Sequence, residues 1–307
     1  MKSTNYTRFA AVAISLLASS AVSQAVNRTW DYGASTTDWH TAINWNANVV
    51  PDSGNGFIMD GAGTGVTVLA DAAGFASAAN VRGGHQFTIS TDLTVGSNLN
   101  LGRGNDANGS AVFQTAGTVS LGGMDMSGNA TAGGDSAYTI SGGSLTIGSA
   151  DTFDVGGDGG TGTLGGGSDV ATFSIVGNSA TVSATSNILA RASSVFNFTL
   201  GATGIDAIDT TGSLNISTGA SLNIFGAAYT GGSGDITIFE AATMTGAFDV
   251  ADITVTGFGT EGVDWTLTQN ALGSGDVVLT IVPEPSTFAL LGGLFALTAV
   301  MVRRRHS

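Results

Sequence analysis

Acid–base chemistry in this chain would fall to carboxylates, and Asp125, Asp135, Asp151 and Asp154 lie close together in a glycine-rich stretch. Two carboxyl groups a few ångströms apart can hydrolyse a glycosidic bond, one as acid and one as nucleophile or base. Asp125 and Asp154 occupy the same position of a repeated segment, so stacking would set them about one strand spacing, roughly 4.8 Å, apart. Any stacked repeat with Asp at that position makes the same ladder, and the structural reading of the pair is preferred. His40 and His85 have neither zinc-ligand spacing nor a nucleophile motif beside them, and both are expected at the surface or in a cap. No catalytic residue and no metal site is assigned, and an enzyme is not expected.

Two Gly/Asp turns, 102–106 and 156–162, are similar to those of calcium-binding repeats but lack the nonapeptide period. They read as ordinary turns, and calcium is the one cofactor the residues suggest. Trp30, Trp39 and Trp45 cluster early in the chain, where such rings could stack on sugars or cover the first layer of a stacked fold. Cover is expected, because open strand edges need it. Trp265 is expected to serve the other end.

The elements that must hold these residues are strands. Gln86-Phe87-Thr88-Ile89, Thr118-Val119-Ser120-Leu121, Ser144-Leu145-Thr146-Ile147 and Asp235-Ile236-Thr237-Ile238 alternate polar and apolar side chains at period two, between Gly, Asn and Asp turns. Repetition is visible as well: aligning Leu99, Met124 and Phe153 gives offsets of 25 and 29, and a weaker fourth pass begins near Ile188. Each unit supplies about three short strands that cannot bury an apolar face alone, whereas stacked units can. The fold expected is all-β, a right-handed parallel β-helix or solenoid of about ten coils; a β-sandwich is the alternative. Residues 26–97 would form a cap and first coils, 98–202 the glycine-rich repeats, and 203–281 the last coils and a second cap.

Composition narrows the partners. Between the ends, Arg28, Arg82, Arg103 and Arg191 face 22 of the 23 acidic residues, so this part carries 4 − 22 = −18. Such a surface repels phosphate backbones, which excludes nucleic acid as a partner. The absence of cysteine removes disulfides, thiolate metal sites and thiol nucleophiles together.

Both ends read as addresses. Lys2 and Arg8 precede the apolar run Phe9 to Ala18, and Ser23-Gln24-Ala25 has the small residues read by signal peptidase, so cleavage of a signal peptide, 1–25, is expected after Ala25. At the other end Val282-Pro283-Glu284-Pro285-Ser286-Thr287 precedes an uncharged run from Phe288 to Val302 and the cluster Arg303-Arg304-Arg305. Both prolines end the preceding strand. The apolar run, at about 1.5 Å per residue, is roughly 24 Å long, short for a bilayer core of about 30 Å, a gap that snorkelling arginines can cover. A single C-terminal membrane helix with the arginines on the cytoplasmic side is expected.

This three-part tail, residues 282–307, resembles the PEP-CTERM protein-sorting tail of Gram-negative bacteria. The resemblance implies an inner-membrane intermediate, processing near the Pro-Glu-Pro element by an exosortase-type membrane protease, and final placement at the cell surface or outside it. It also implies a setting of exopolysaccharide and biofilm. The tryptophan-rich start resembles the opening of autotransporter-like β-helical surface proteins. The expected role is that of an exported, non-catalytic structural or adhesive protein. The alternatives are a polysaccharide-degrading enzyme and a carbohydrate-binding protein using Trp30, Trp39 and Trp45.

Overall fold

Hydroxyl and apolar residues alternating at period two favour short strands, and glycines between them let the chain turn before a strand grows long. A computed structural model of the chain describes residues 27–60, 67–70, 72–102, 109–126, 135–148, 152–156, 169–269, 274–282, 292–298, 301, 303 and 304. The signal segment with Ser23 and Ala25, the residues Pro283 to Ser286, Arg305, Asp151 and most of both Gly/Asp turns lie outside the described residues.

The architecture is all-β, with long parallel sheets compatible with a β-helix. One sheet has eight parallel strands: β3 (Thr67–Ala70), β6 (Gln86–Ile89), β8 (Ser110–Gln114), β10 (Ser136–Ile140), β13 (Ala171–Val176), β16 (Ser194–Thr199), β18 (Ser221–Phe225) and β20 (Ile253–Thr256). These strands form the first face of each coil. A second sheet of 14 strands supplies two more faces, because its long members bend. The register of β7 (Leu93–Leu101) against β9 (Thr118–Met126) shifts between Val95 and Asn98. Before the bend β9 pairs with β11 (Gly143–Ile147), and after it with β12 (Phe153–Val155). Each turn of chain therefore passes through three faces.

Repeat spacing and strand register agree. Leu99 pairs with Met124, Met124 with Phe153, Phe153 with Ile188, and Ile188 with Leu214. Like therefore sits on like, and one continuous column of buried apolar side chains runs through the coils. Aromatic rings carry part of it: Tyr138 stacks on Phe173 at 5.6 Å, and Phe153 meets Phe173 edge-on at 5.0 Å. The column accommodates a polar pair. Buried Tyr138 donates to Gln114 Oε1 at 2.8 Å, and Gln114 Nε2 donates to the corner carbonyls of Gly117 and Ser144. Burial pushes the Tyr138 hydroxyl far above its ordinary range. Corners stack as closely as faces do. Gly143 has φ +81°, and a Cβ there would lie 2.1 Å from the Gly117 carbonyl oxygen.

Among the described residues the first face has eight strands, and the elements at either end of the stack are of another kind. At the start, the polypeptide makes 3₁₀ turns at Ala42–Asn44 and Asn46–Asn48. At the finish, β21 (Trp265–Gln269) and β22 (Val277–Ile281) pair antiparallel.

The three early tryptophans form the first lid. Trp39 packs on Trp45 at 4.7 Å, on Phe57 at 4.7 Å and on Phe87 at 5.1 Å, and the Trp45 indole donates to the Trp39 carbonyl at 2.8 Å. All three rings are fully buried, which leaves no ring face for a sugar. Here the structure corrects the carbohydrate-contact alternative: sealing the apolar column against water takes the rings' whole surface. Buried Asn44 holds the lid loop, donating to the Thr36 hydroxyl at 2.8 Å and to the Asp38 carbonyl at 3.0 Å. Asp38 accepts from the Thr41 hydroxyl at 2.6 Å and from the His40 amide at 2.8 Å. Chiefly through the Thr41 bond, its carboxyl is held below the ordinary 3.8. His40 bonds the Ala72 carbonyl through Nε2 at 3.0 Å. His85 is fully buried, not at the surface.

Two outcomes follow from this packing. Gly143→Val, measured by chemical denaturation, should cost about 3 kcal/mol, since a side chain there meets both positive φ and the coil below. Asp38→Asn should lower the melting temperature at neutral pH, by the equivalent of about 1 kcal/mol. Because the folded pKa is depressed, the Asp38 contribution is present above 3.8 and is lost as pH falls through the folded value, so the gap between the two proteins should close there.

Candidate functional site

The second residue of four successive third-face triplets forms a polar ladder. Register sets Asn80 beside Asn100, Asn100 beside Asp125, Asp125 beside Asp154, and Asp154 beside Leu189. Asn100, Asp125 and Asp154 are all buried. Asn100 Nδ2 donates to Asn80 Oδ1 at 3.1 Å, a bond between side chains on neighbouring coils. The ladder therefore brings two of the four candidate carboxylates together. Asp135 works elsewhere: its Oδ1 accepts from the Val170 amide at 2.8 Å at a corner.

Asp154 is held on both oxygens. Arg191 Nε donates to Oδ1 at 3.1 Å, and Arg191 Nη2 donates to Oδ2 at 2.9 Å. The Asp154 side chain is 3 % exposed and that of Arg191 20 %. A fork of this kind fixes the carboxylate geometrically and neutralises it. Each carboxylate oxygen thus already accepts a charge-assisted bond from Arg191. Arg191 follows Asp154 by 37 positions, and no local motif announces the pairing; its one sequence signal is the scarcity of cations around it. Among the described residues, no group of three or more His, Asp or Glu side chains could hold a metal ion.

A second site lies where the fold ends. Strand β22 runs between β19 (Gly234–Thr245) and β21, antiparallel to both, so the last strand among the described residues is an interior one. The Val282 amide then donates to the Asp264 carbonyl at 2.8 Å. The chain is thus hydrogen-bonded to the body up to the residue before Pro283. Residues 282–305 match the PEP-CTERM protein-sorting motif. This motif marks an exported protein, sorted by an exosortase-type protease to the cell surface or beyond it. No curated protein and no solved structure is similar to the chain.

Within the PEP-CTERM tail, residues 292–298 are helical, as are 301, 303 and 304, which include Arg303 and Arg304. Thr298 Oγ1 bonds back to the Leu294 and Phe295 carbonyls at 3.0 and 2.8 Å, as a hydroxyl does when an apolar helix offers it no other partner. Leu294, Phe295, Leu297 and Met301 are all more than half exposed. Among the described residues no helix is long and apolar enough to cross a membrane.

The ion pair generates a double-mutant test. Arg191→Met strands the buried Asp154 carboxylate and should cost about 3 kcal/mol in denaturant titration. Adding Asp154→Leu should recover most of that loss, because Leu189 already occupies the same column one coil on.

Proposed function

We propose that the chain is an exported, non-catalytic structural or adhesive rod, a right-handed β-helix delivered through its PEP-CTERM tail. The observation that carries this reading is the union of tail and fold. The sorting motif begins at Val282, directly after a strand hydrogen-bonded on both sides, so the tail is joined to a rigid body and not to a loose linker. In this reading residues 1–25 are a signal peptide, and Phe288 to Val302 span the inner membrane as an intermediate before exosortase-type processing. The exposed apolar side chains of the tail helix support the span, since water is a poor solvent for that surface. Arg303, Arg304 and Arg305 then stay cytoplasmic. The Arg191 fork on Asp154 supports a structural ladder over an active site.

A polysaccharide-degrading enzyme is the second reading, and what favours it is Asp125 in register with Asp154 on adjacent strands. The two readings part on one assay, in which the chain is incubated with neutral and acidic polysaccharides and reducing ends are recorded. The rod reading predicts none above background. Turnover that disappears in Asp125→Asn or Asp154→Asn would replace it with the enzyme.

A further inference from the structure

Buried tryptophans leave the adhesive reading without a surface, yet the second face of the coil offers one. Its outward positions fall in register as Phe75, Thr94, Ser120, Thr146, Ser183 and Asp209, one from each successive strand. Glu240 follows in the same column. The column spans six strand steps, about 29 Å at 4.8 Å per step. A parallel rank two residues earlier carries Thr118, Ser144 and Thr181, about 6.7 Å away along the strands. The side chains between the two ranks, Val119, Leu145 and Val182, point inward and are buried, which fixes the hydroxyls on a stiff backing. Two bonds run along the ranks: Ser144 Oγ to Thr118 Oγ1 at 3.3 Å, and Ser183 Oγ to Thr146 Oγ1 at 3.5 Å.

Hydroxyl rows are ordinary on a solvated sheet. What solvation does not account for is Phe75, 52 % exposed at the head of the column, with carboxylates at the foot. An apolar ring, then hydroxyls at regular spacing, then carboxylate acceptors is the order of groups that suits one ligand chemistry. A pyranose ring offers an apolar face to an aromatic side chain and hydroxyl groups along its edge. Charge selects among polysaccharides, because the exposed carboxylates of Asp209 and Glu240, and the −18 of the exported part, repel uronic acids. Along this face the outward side chains of Phe75, Thr94, Thr146, Asp209 and Glu240 are exposed, so a long ligand can reach them.

We infer that the second face, from Phe75 to Glu240, is a binding strip for a neutral polysaccharide chain lying across the coils. The inference rests on the adhesive form of the rod reading. Phe75 stacks under one sugar ring, Thr94, Ser120, Thr146 and Ser183 exchange hydrogen bonds with the sugar edges, and Asp209 and Glu240 accept from the last hydroxyls.

Affinity electrophoresis of the full-length chain in mild detergent, through gels containing mixed-linkage β-glucan, dextran or polygalacturonate, tests the strip. Retardation is expected with at least one of the neutral polymers and not with polygalacturonate. Phe75→Ala, and separately Thr94→Val with Thr146→Val, should weaken it by about tenfold, whereas Thr139→Val on the first face should leave it unchanged. Valine keeps strand propensity and shape, so unchanged melting temperatures show that the coil is intact. Retardation equal in all variants, or none with either neutral polymer, would overturn the strip. Reducing ends released from the same glucan would contradict the non-catalytic reading alone, and leave the strip to be judged by retardation.

Discussion

In-register parallel stacking is the constraint on which the rest of this structure depends. A coil of three short strands has no core of its own; its apolar side chains are buried only when the coils above and below present apolar side chains at the same positions. Leu99, Met124, Phe153, Ile188 and Leu214 meet that condition along one line. Corners are subject to it too, which is why glycine recurs there with the backbones of adjacent coils in contact, as at Gly117 and Gly143. The interior tolerates Tyr138 and Gln114 because every bond they need is made inside the column. A slip of one residue would turn the outward hydroxyl ranks inward, so register is strongly specified by burial.

A stack also has to end. At the start the lid is aromatic, with Trp30, Trp39 and Trp45 fully buried and Asn44 tying down the loop between them. At the finish the solution is a change of strand direction: β22 reverses against β19 and is covered in turn by β21, whose Trp265 is buried. That reversal joins fold to address. The strand that closes the sheet is the strand that leads into the PEP-CTERM tail, so the closing hydrogen bonds also anchor the point of attachment.

Much of the fold could be read from the amino-acid sequence, because periodicity and repetition are local signals. The offsets of 25 and 29 are the observed register, and the faint fourth pass at Ile188 is real. What could not be read depends on contacts between distant residues. The antiparallel finish was hidden because Val277–Ile281 alternates like any other strand, and direction of pairing leaves no trace in alternation. The Asp154–Arg191 pair was hidden because an insertion separates its partners by 37 positions. The clustering of Trp30, Trp39 and Trp45 is visible in the sequence, but composition cannot distinguish a ring facing inward from one facing a ligand. His85 is expected at the surface or in a cap and is fully buried, because a lone histidine beside a turn carries no local signal of the coil packed over it.

In the proposed reading a rod passes into its sorting tail at Val282, whose amide bonds the Asp264 carbonyl. The most direct test is the intact mass of the protein recovered from the producing cells' surface and medium. The mature chain is expected to start after Ala25 and to end near the Pro283–Pro285 element, without the arginines at 303–305. A surface form that retains Arg303 to Arg305, or a mature chain that still begins at Met1, would contradict the proposed reading.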